Sequence, residues 1–128
     1  MKFSRYVFLL AAFYGVCVLV PGFFVGGAGE FTSDSPPALP EFYFGFLSLA
    51  LVFQGVFVLI AMDPIKFRPF MIIAVFEKLS FFLVVVVLAS SGKMSTESQY
   101  FMGGMIDGGL AALFLTAWLV TPSKAQPV

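Results

Sequence analysis

The stretch DPIKFRPFMIIAVFEKLSFFLVVVVLA, Asp63 to Ala89, runs from a short basic turn into an apolar segment that carries an acid and a lysine side by side. Pro69 stands where a helix can start, because a proline in the first turn gives up an N–H that has no partner inside the helix anyway. From Phe70 to Ala89 only Glu77, Lys78 and Ser80 are polar. A run of about 20 residues rises roughly 30 Å as a helix, the thickness of the hydrocarbon core of a bilayer. Glu77 and Lys78 therefore fall inside the membrane, where a charge is costly unless it is paired, hydrogen-bonded or wetted. They are the leading candidate functional residues.

The rest of the chain agrees with a membrane protein. Of its 128 residues, 60% are hydrophobic and only 11% charged, with 18 phenylalanines and no histidine. A soluble domain averages about 25% charged residues. Net charge is zero and the basic residues are scattered, so no nucleic-acid partner is expected. The lone Cys17 excludes an internal disulfide and a cysteine-pair redox mechanism. Without histidine, the commonest ligand of haem, copper and zinc sites is missing, and neither a metal nor another cofactor is expected.

Working outward, residues 1–128 divide into four spans, at about residues 6–25, 42–62, 70–89 and 98–120, which predicts an all-α, up-down-up-down integral membrane four-helix bundle forming a single domain. The first span follows the basic head Met1 to Arg5. That outline also fits a secretory signal peptide, with Gly26-Gly27-Ala28 as a poor cleavage site. A retained helix is preferred, because the run is too long for a signal core and Tyr14-Gly15-Val16 before Cys17 does not make a lipoprotein box. Pro21 deprives the Cys17 carbonyl of its hydrogen bond and predicts a kink or an end near there. The loop GGAGEFTSDSPPALP, Gly26 to Pro40, holds Glu30 and Asp34 and no basic residue, and Pro40 with Glu41 opens the second span. Thr96 and Gln99 have capping-box spacing, predicting a fourth helix from about Ser98 to Val120, stopped by Thr121-Pro122. No internal repeat relates the two halves.

Lys2, Arg5, Lys66, Arg68 and Lys124 all fall on one side of this arrangement, and Lys93 alone falls on the other. The positive-inside rule then puts both termini and the turn 63–69 in the cytoplasm, in a cell inner membrane.

Counting rise from the helix ends puts Tyr14, Gln54, Glu77 and Lys78 within a few ångströms of one level, about 10 to 12 Å from the cytoplasmic face, with Asp107 roughly 6 to 8 Å further out. One polar cluster drawing on all four helices is therefore expected. Each member also has a plain structural reading. Lys78 can snorkel toward the cytoplasm, since helical side chains lean toward the N-terminus, and Glu77 can pair with it or with Gln54 as interhelical glue. An unpaired carboxylate is expensive there, so Asp107 either finds a donor, for which Lys78 is a candidate, or stays protonated. Gly104, Gly108 and Ala112 form a small-xxx-small row that reads as a helix-packing device. The phenylalanines suit a flat apolar ligand but also suit lipid contact and bundle filling.

The turn D-P-x-x-x-R-P at Asp63, Pro64, Arg68 and Pro69, followed by E-K-x-S-F at Glu77, Lys78, Ser80 and Phe81, resembles a group of uncharacterised small bacterial four-helix membrane proteins over residues 40–120. More distantly, the four-span layout resembles the DoxX-like and EXPERA-type proteins. Some EXPERA-type members bind or isomerise sterols through intramembrane acids and DoxX-type members are linked to quinone chemistry, but their functional residues do not match Glu77 or Asp107 one by one, so neither activity carries over. The expected function is binding of a lipid-like molecule, of sterol or quinone type, through the buried acids, rather than a defined enzyme activity. The alternatives are an accessory subunit of a membrane complex and a proton-coupled small transporter. The latter is disfavoured by the five-to-one basic asymmetry and by an acid in the third span, since the small multidrug exporters place theirs in the first. Expected partners are the bilayer, a lipid-like small molecule, and further copies of the chain or a larger membrane complex.

Overall fold

Proline, glycine and serine punctuate four apolar runs, and helices form between these marks. The computed structural model describes residues 2–24 and 40–123; the expectations placed on Glu30, Asp34 and Lys124 lie outside them. The helices are α1 (Lys2–Phe24), α2 (Pro40–Met62), α3 (Arg68–Ser90) and α4 (Gln99–Val120). All four are long and apolar enough to cross a membrane. Helix α1 runs through Pro21 and reaches Phe24.

Local chemistry explains the ends. In the turn before α3, the Asp63 Oδ1 accepts the Lys66 backbone N–H at 3.1 Å, and Pro69 sits in the first turn of the helix. Helix α3 stops because Gly92 takes φ of 75°, which L-residues with a side chain disfavour. There the Gly92 N–H donates to the Ala89 carbonyl at 3.2 Å and the Lys93 N–H to the Leu88 carbonyl at 2.9 Å, the paired bonds of a Schellman end. At the start of α4 the capping residue is Ser98, whose hydroxyl accepts the Tyr100 N–H at 3.2 Å. The expected Thr96 box does not form, because a capping hydroxyl reaches only the first free N–H groups and Thr96 lies two residues before the cap.

Every neighbouring pair is antiparallel. Helices α1 and α2 form one hairpin and α3 and α4 another, and the seams α1–α4 and α2–α3 join them. Near the basic end three rings make the centre of the core. Phe8 stacks on Phe114 with centroids 4.3 Å apart, and Phe57 meets Phe114 edge-on at 5.0 Å. Ala11, Ala74 and Ala117 leave room for these rings, while Ile60 and Met71 fill the remaining space. Toward the opposite end the glycine contacts that bury side chains lie within each hairpin: Leu47 on Gly22, Gln54 on Gly15, Val85 on Gly104.

The outside is more apolar than water tolerates. Phe13 is 71% exposed, Leu49 70%, Phe76 65% and Leu119 65%, on four different helices, whereas Ser4, Gln54, Lys78 and Thr121 are buried. An apolar belt around a partly polar interior is stable only in hydrocarbon. The chain is an integral membrane four-helix bundle running up-down-up-down. Its described basic residues Lys2, Arg5, Lys66 and Arg68 gather at one end, and Lys93 lies at the other.

Candidate intramembrane polar site

Helix α3 turns Lys78 inward, to 5% exposure, and leaves Glu77 on its flank, as the ~100° step between neighbouring helical residues requires. The Lys78 Nζ donates to Asp107 Oδ1 of α4 at 3.3 Å and lies 3.7 Å from Glu77 Oε2. The Phe57 ring of α2 covers the ammonium, with its centroid 5.4 Å away. Three helices therefore surround one cation. Tyr14 of α1 is half-buried and forms no side-chain bond to this group among the described residues.

Lys78 does not snorkel. A carboxylate at hydrogen-bond distance in an apolar surround offers more than a reach of about 10 Å toward water. What brings that carboxylate close is the glycine pair beside it. A methyl group on Gly104 would stand 2.7 Å from Val85, and one on Gly108 2.6 Å from the Phe82 ring. Both glycines face α3 and let α4 settle against it, which sets Asp107 opposite Lys78. Ala112 does not continue this row; it is exposed, and the buried small residue on the next turn is Ala111. Steps of four residues drift about 40° around a helix, so a row that starts on α3 rotates toward lipid within two steps.

Gln54 belongs to a different contact. Its Nε2 donates to its own helix at the Ala50 carbonyl, 2.7 Å away, and its Oε1 lies directly over the backbone of Gly15. That oxygen has no conventional hydrogen-bond partner. A Cα–H of Gly15 is the group it faces, a weak donor that only a residue without a side chain presents so openly. Gln54 thus seals the α1–α2 seam, and Glu77 pairs with Lys78 rather than with it. Gly15 was not singled out in the sequence, because a glycine within an apolar run looks the same whether or not a polar group crosses it.

A second polar group at the basic end also went unread. Ser4 and Thr121 share a hydroxyl bond of 2.7 Å, and Thr121 also donates to the Ala117 carbonyl at 2.7 Å. Arg68 donates from Nε to the Thr121 carbonyl at 2.7 Å and to that of Trp118 at 3.2 Å, and its guanidinium lies 4.4 Å over the Trp118 ring. Arg5 donates likewise to the Ala61 carbonyl at 3.1 Å. Each arginine starts one helix and closes the C-terminal end of an antiparallel neighbour, where free carbonyls and the negative dipole end favour a cation. The only sequence signal was position: basic residues at helix starts, level with the ends of adjacent helices.

Comparison with protein families, with curated proteins and with solved structures finds no match to this chain. The resemblance to small bacterial four-helix membrane proteins therefore rests on two short motifs, and that to the DoxX-like and EXPERA-type proteins on layout. Fold and site together define a multi-pass membrane bundle with a lysine held between two carboxylates.

Proposed function

We propose that this protein binds a small lipid-like molecule of sterol or quinone type at the Glu77–Lys78–Asp107 group, in a bacterial inner membrane with both termini in the cytoplasm. The observation that carries this reading is Glu77 Oε2, shielded from solvent and without a hydrogen-bond partner, at the one place among the described residues where two carboxylates share a single ammonium. A buried acceptor of this kind is satisfied by a hydroxyl donor, and an apolar ligand with one hydroxyl supplies it. The acids are also the more accessible members, with side-chain exposures of 19% for Glu77 and 14% for Asp107 against 7% for Lys78. Phe81 shares the Glu77 face one turn on and meets Phe46 of α2 at 5.3 Å, a ring surface that suits a flat apolar body. The orientation is supported by the basic residues gathered at one end of the bundle.

The test is mass spectrometry of the protein purified in mild detergent, comparing wild type with Glu77→Gln. Wild type is expected to retain a sterol- or quinone-type molecule, and the variant to fold and lose it. The amide keeps hydrogen-bonding capacity but not the charge-assisted bond, which is about twice as strong. Equal retention by both proteins, or no such molecule on either, overturns the proposal.

A further inference from the structure

The turn that joins α2 to α3 carries a feature independent of the acid group. Beneath it, on the α2–α3 seam at the basic end, Val56, Leu59, Ile60, Phe67 and Phe70 line an apolar depression of about 50 Å³. Leu59 and Phe70 are each about half exposed along its rim, so it opens on the lipid side. Directly above it, the exposed Lys66 holds its ammonium 5.3 Å from the centre of the Phe67 ring, which is one wall of the depression.

Charge at this end is one-sided. Lys2, Arg5, Lys66 and Arg68 face a single described carboxylate, Asp63, whose Oδ1 is engaged by the turn's own N–H. Arg5 and Arg68 are committed to helix-end carbonyls. The Lys66 ammonium forms no ion pair among the described residues. A free cation at the headgroup level over an apolar hollow in the hydrocarbon has the two-part chemistry of a phospholipid with a net negative headgroup. We infer that this seam binds an anionic phospholipid, with an acyl chain against Phe67, Phe70 and Leu59 and the phosphate beside Lys66. A zwitterionic lipid fits the hollow equally well, but its own ammonium offsets the attraction to Lys66.

The experiment uses the full chain, stripped of lipid in mild detergent and incubated with phosphatidylglycerol and phosphatidylcholine of identical acyl chains, with bound lipid read by native mass spectrometry. Wild type is expected to retain about fivefold more of the anionic lipid, the factor that one basic residue contributes beside an anionic headgroup. Lys66→Gln should remove that preference and leave phosphatidylcholine retention unchanged. Leu59→Trp, which fills the hollow from an already exposed position, should lower retention of both lipids. Equal retention of the two lipids by wild type, or a preference that survives in Lys66→Gln, overturns the inference. Should Leu59→Trp fail to fold, the Lys66 comparison decides alone. Glu77→Gln should keep the headgroup preference, which separates this site from the acid group.

Discussion

A lysine placed in a bilayer avoids the cost of burial either by reaching water along its own stem or by holding its charge against a carboxylate, and the 3.3 Å bond to Asp107 commits Lys78 to the second course. The consequence is an interdependence that single substitutions should reveal. Lys78→Met leaves two carboxylates without a cation in a low dielectric, and breaking a buried pair from one side costs roughly 3 kcal/mol or more. Lys78→Met combined with Asp107→Asn removes one of the two stranded carboxylates, so the double variant should be more stable than Lys78→Met alone. Unfolding of wild type, Lys78→Met, Asp107→Asn and the double variant in one detergent measures this. Additive losses would mean that the two side chains do not depend on each other. At this scale the count of rise along each helix set Tyr14, Gln54, Glu77 and Lys78 at one level and Asp107 roughly 6 to 8 Å further out, yet Asp107 is the residue that Lys78 meets. The sequence was silent about direction. The rotation of each helix decided that Gln54 crosses to Gly15 while Lys78 crosses to Asp107.

Helix α4 shows how an element is positioned by what its residues lack. Gly104 and Gly108 meet Val85 and Phe82 so closely that an added side chain must push α4 away from α3, whereas Gly55 on α2 has open space where a side chain would be. Gly108→Leu should therefore lower the melting temperature in detergent and separate Asp107 from Lys78, while Gly55→Leu should stay near wild type. Overpacking at a tight contact costs about 1–3 kcal/mol, against less than about 0.5 kcal/mol for a typical surface change. Similar melting temperatures for both variants would contradict this account of the seam. The small-residue row was visible in the sequence as far as Gly108. Ala112 was misplaced because a fixed four-residue spacing assumes a face that stays in register, and a straight helix does not keep it.

At the scale of the molecule, the two hairpins present one basic end, with Lys2, Arg5, Lys66 and Arg68 together, and one end with Lys93. Single cysteines at Ser33 and at Lys66, in a background lacking the exposed Cys17, should react with an impermeant reagent from opposite sides of the membrane, Lys66 from the cytoplasm. Labelling of both from one side would contradict the four-span arrangement. Labelling from opposite sides but inverted would retain the bundle and reverse its orientation. The arginines bear on more than orientation: because Arg5 and Arg68 also close neighbouring helix ends, moving these charges to alter topology would loosen the bundle as well.

The sequence by itself determined the number of helices, their lengths to within a few residues, their alternating direction and the membrane as their solvent. These follow from local properties, since each apolar run is one bilayer thick and each break contains residues that helices reject. Tertiary structure decided which faces meet. Neither Pro69 nor the apolar run around Glu77 states which helix will supply a carboxylate to Lys78. That depended on Gly104 and Gly108 drawing α4 against α3 while Phe8, Phe57 and Phe114 closed the core nearby. Helix rotation is set by packing many side chains at once, and on helices apolar all round, periodicity leaves no stripe from which to read it.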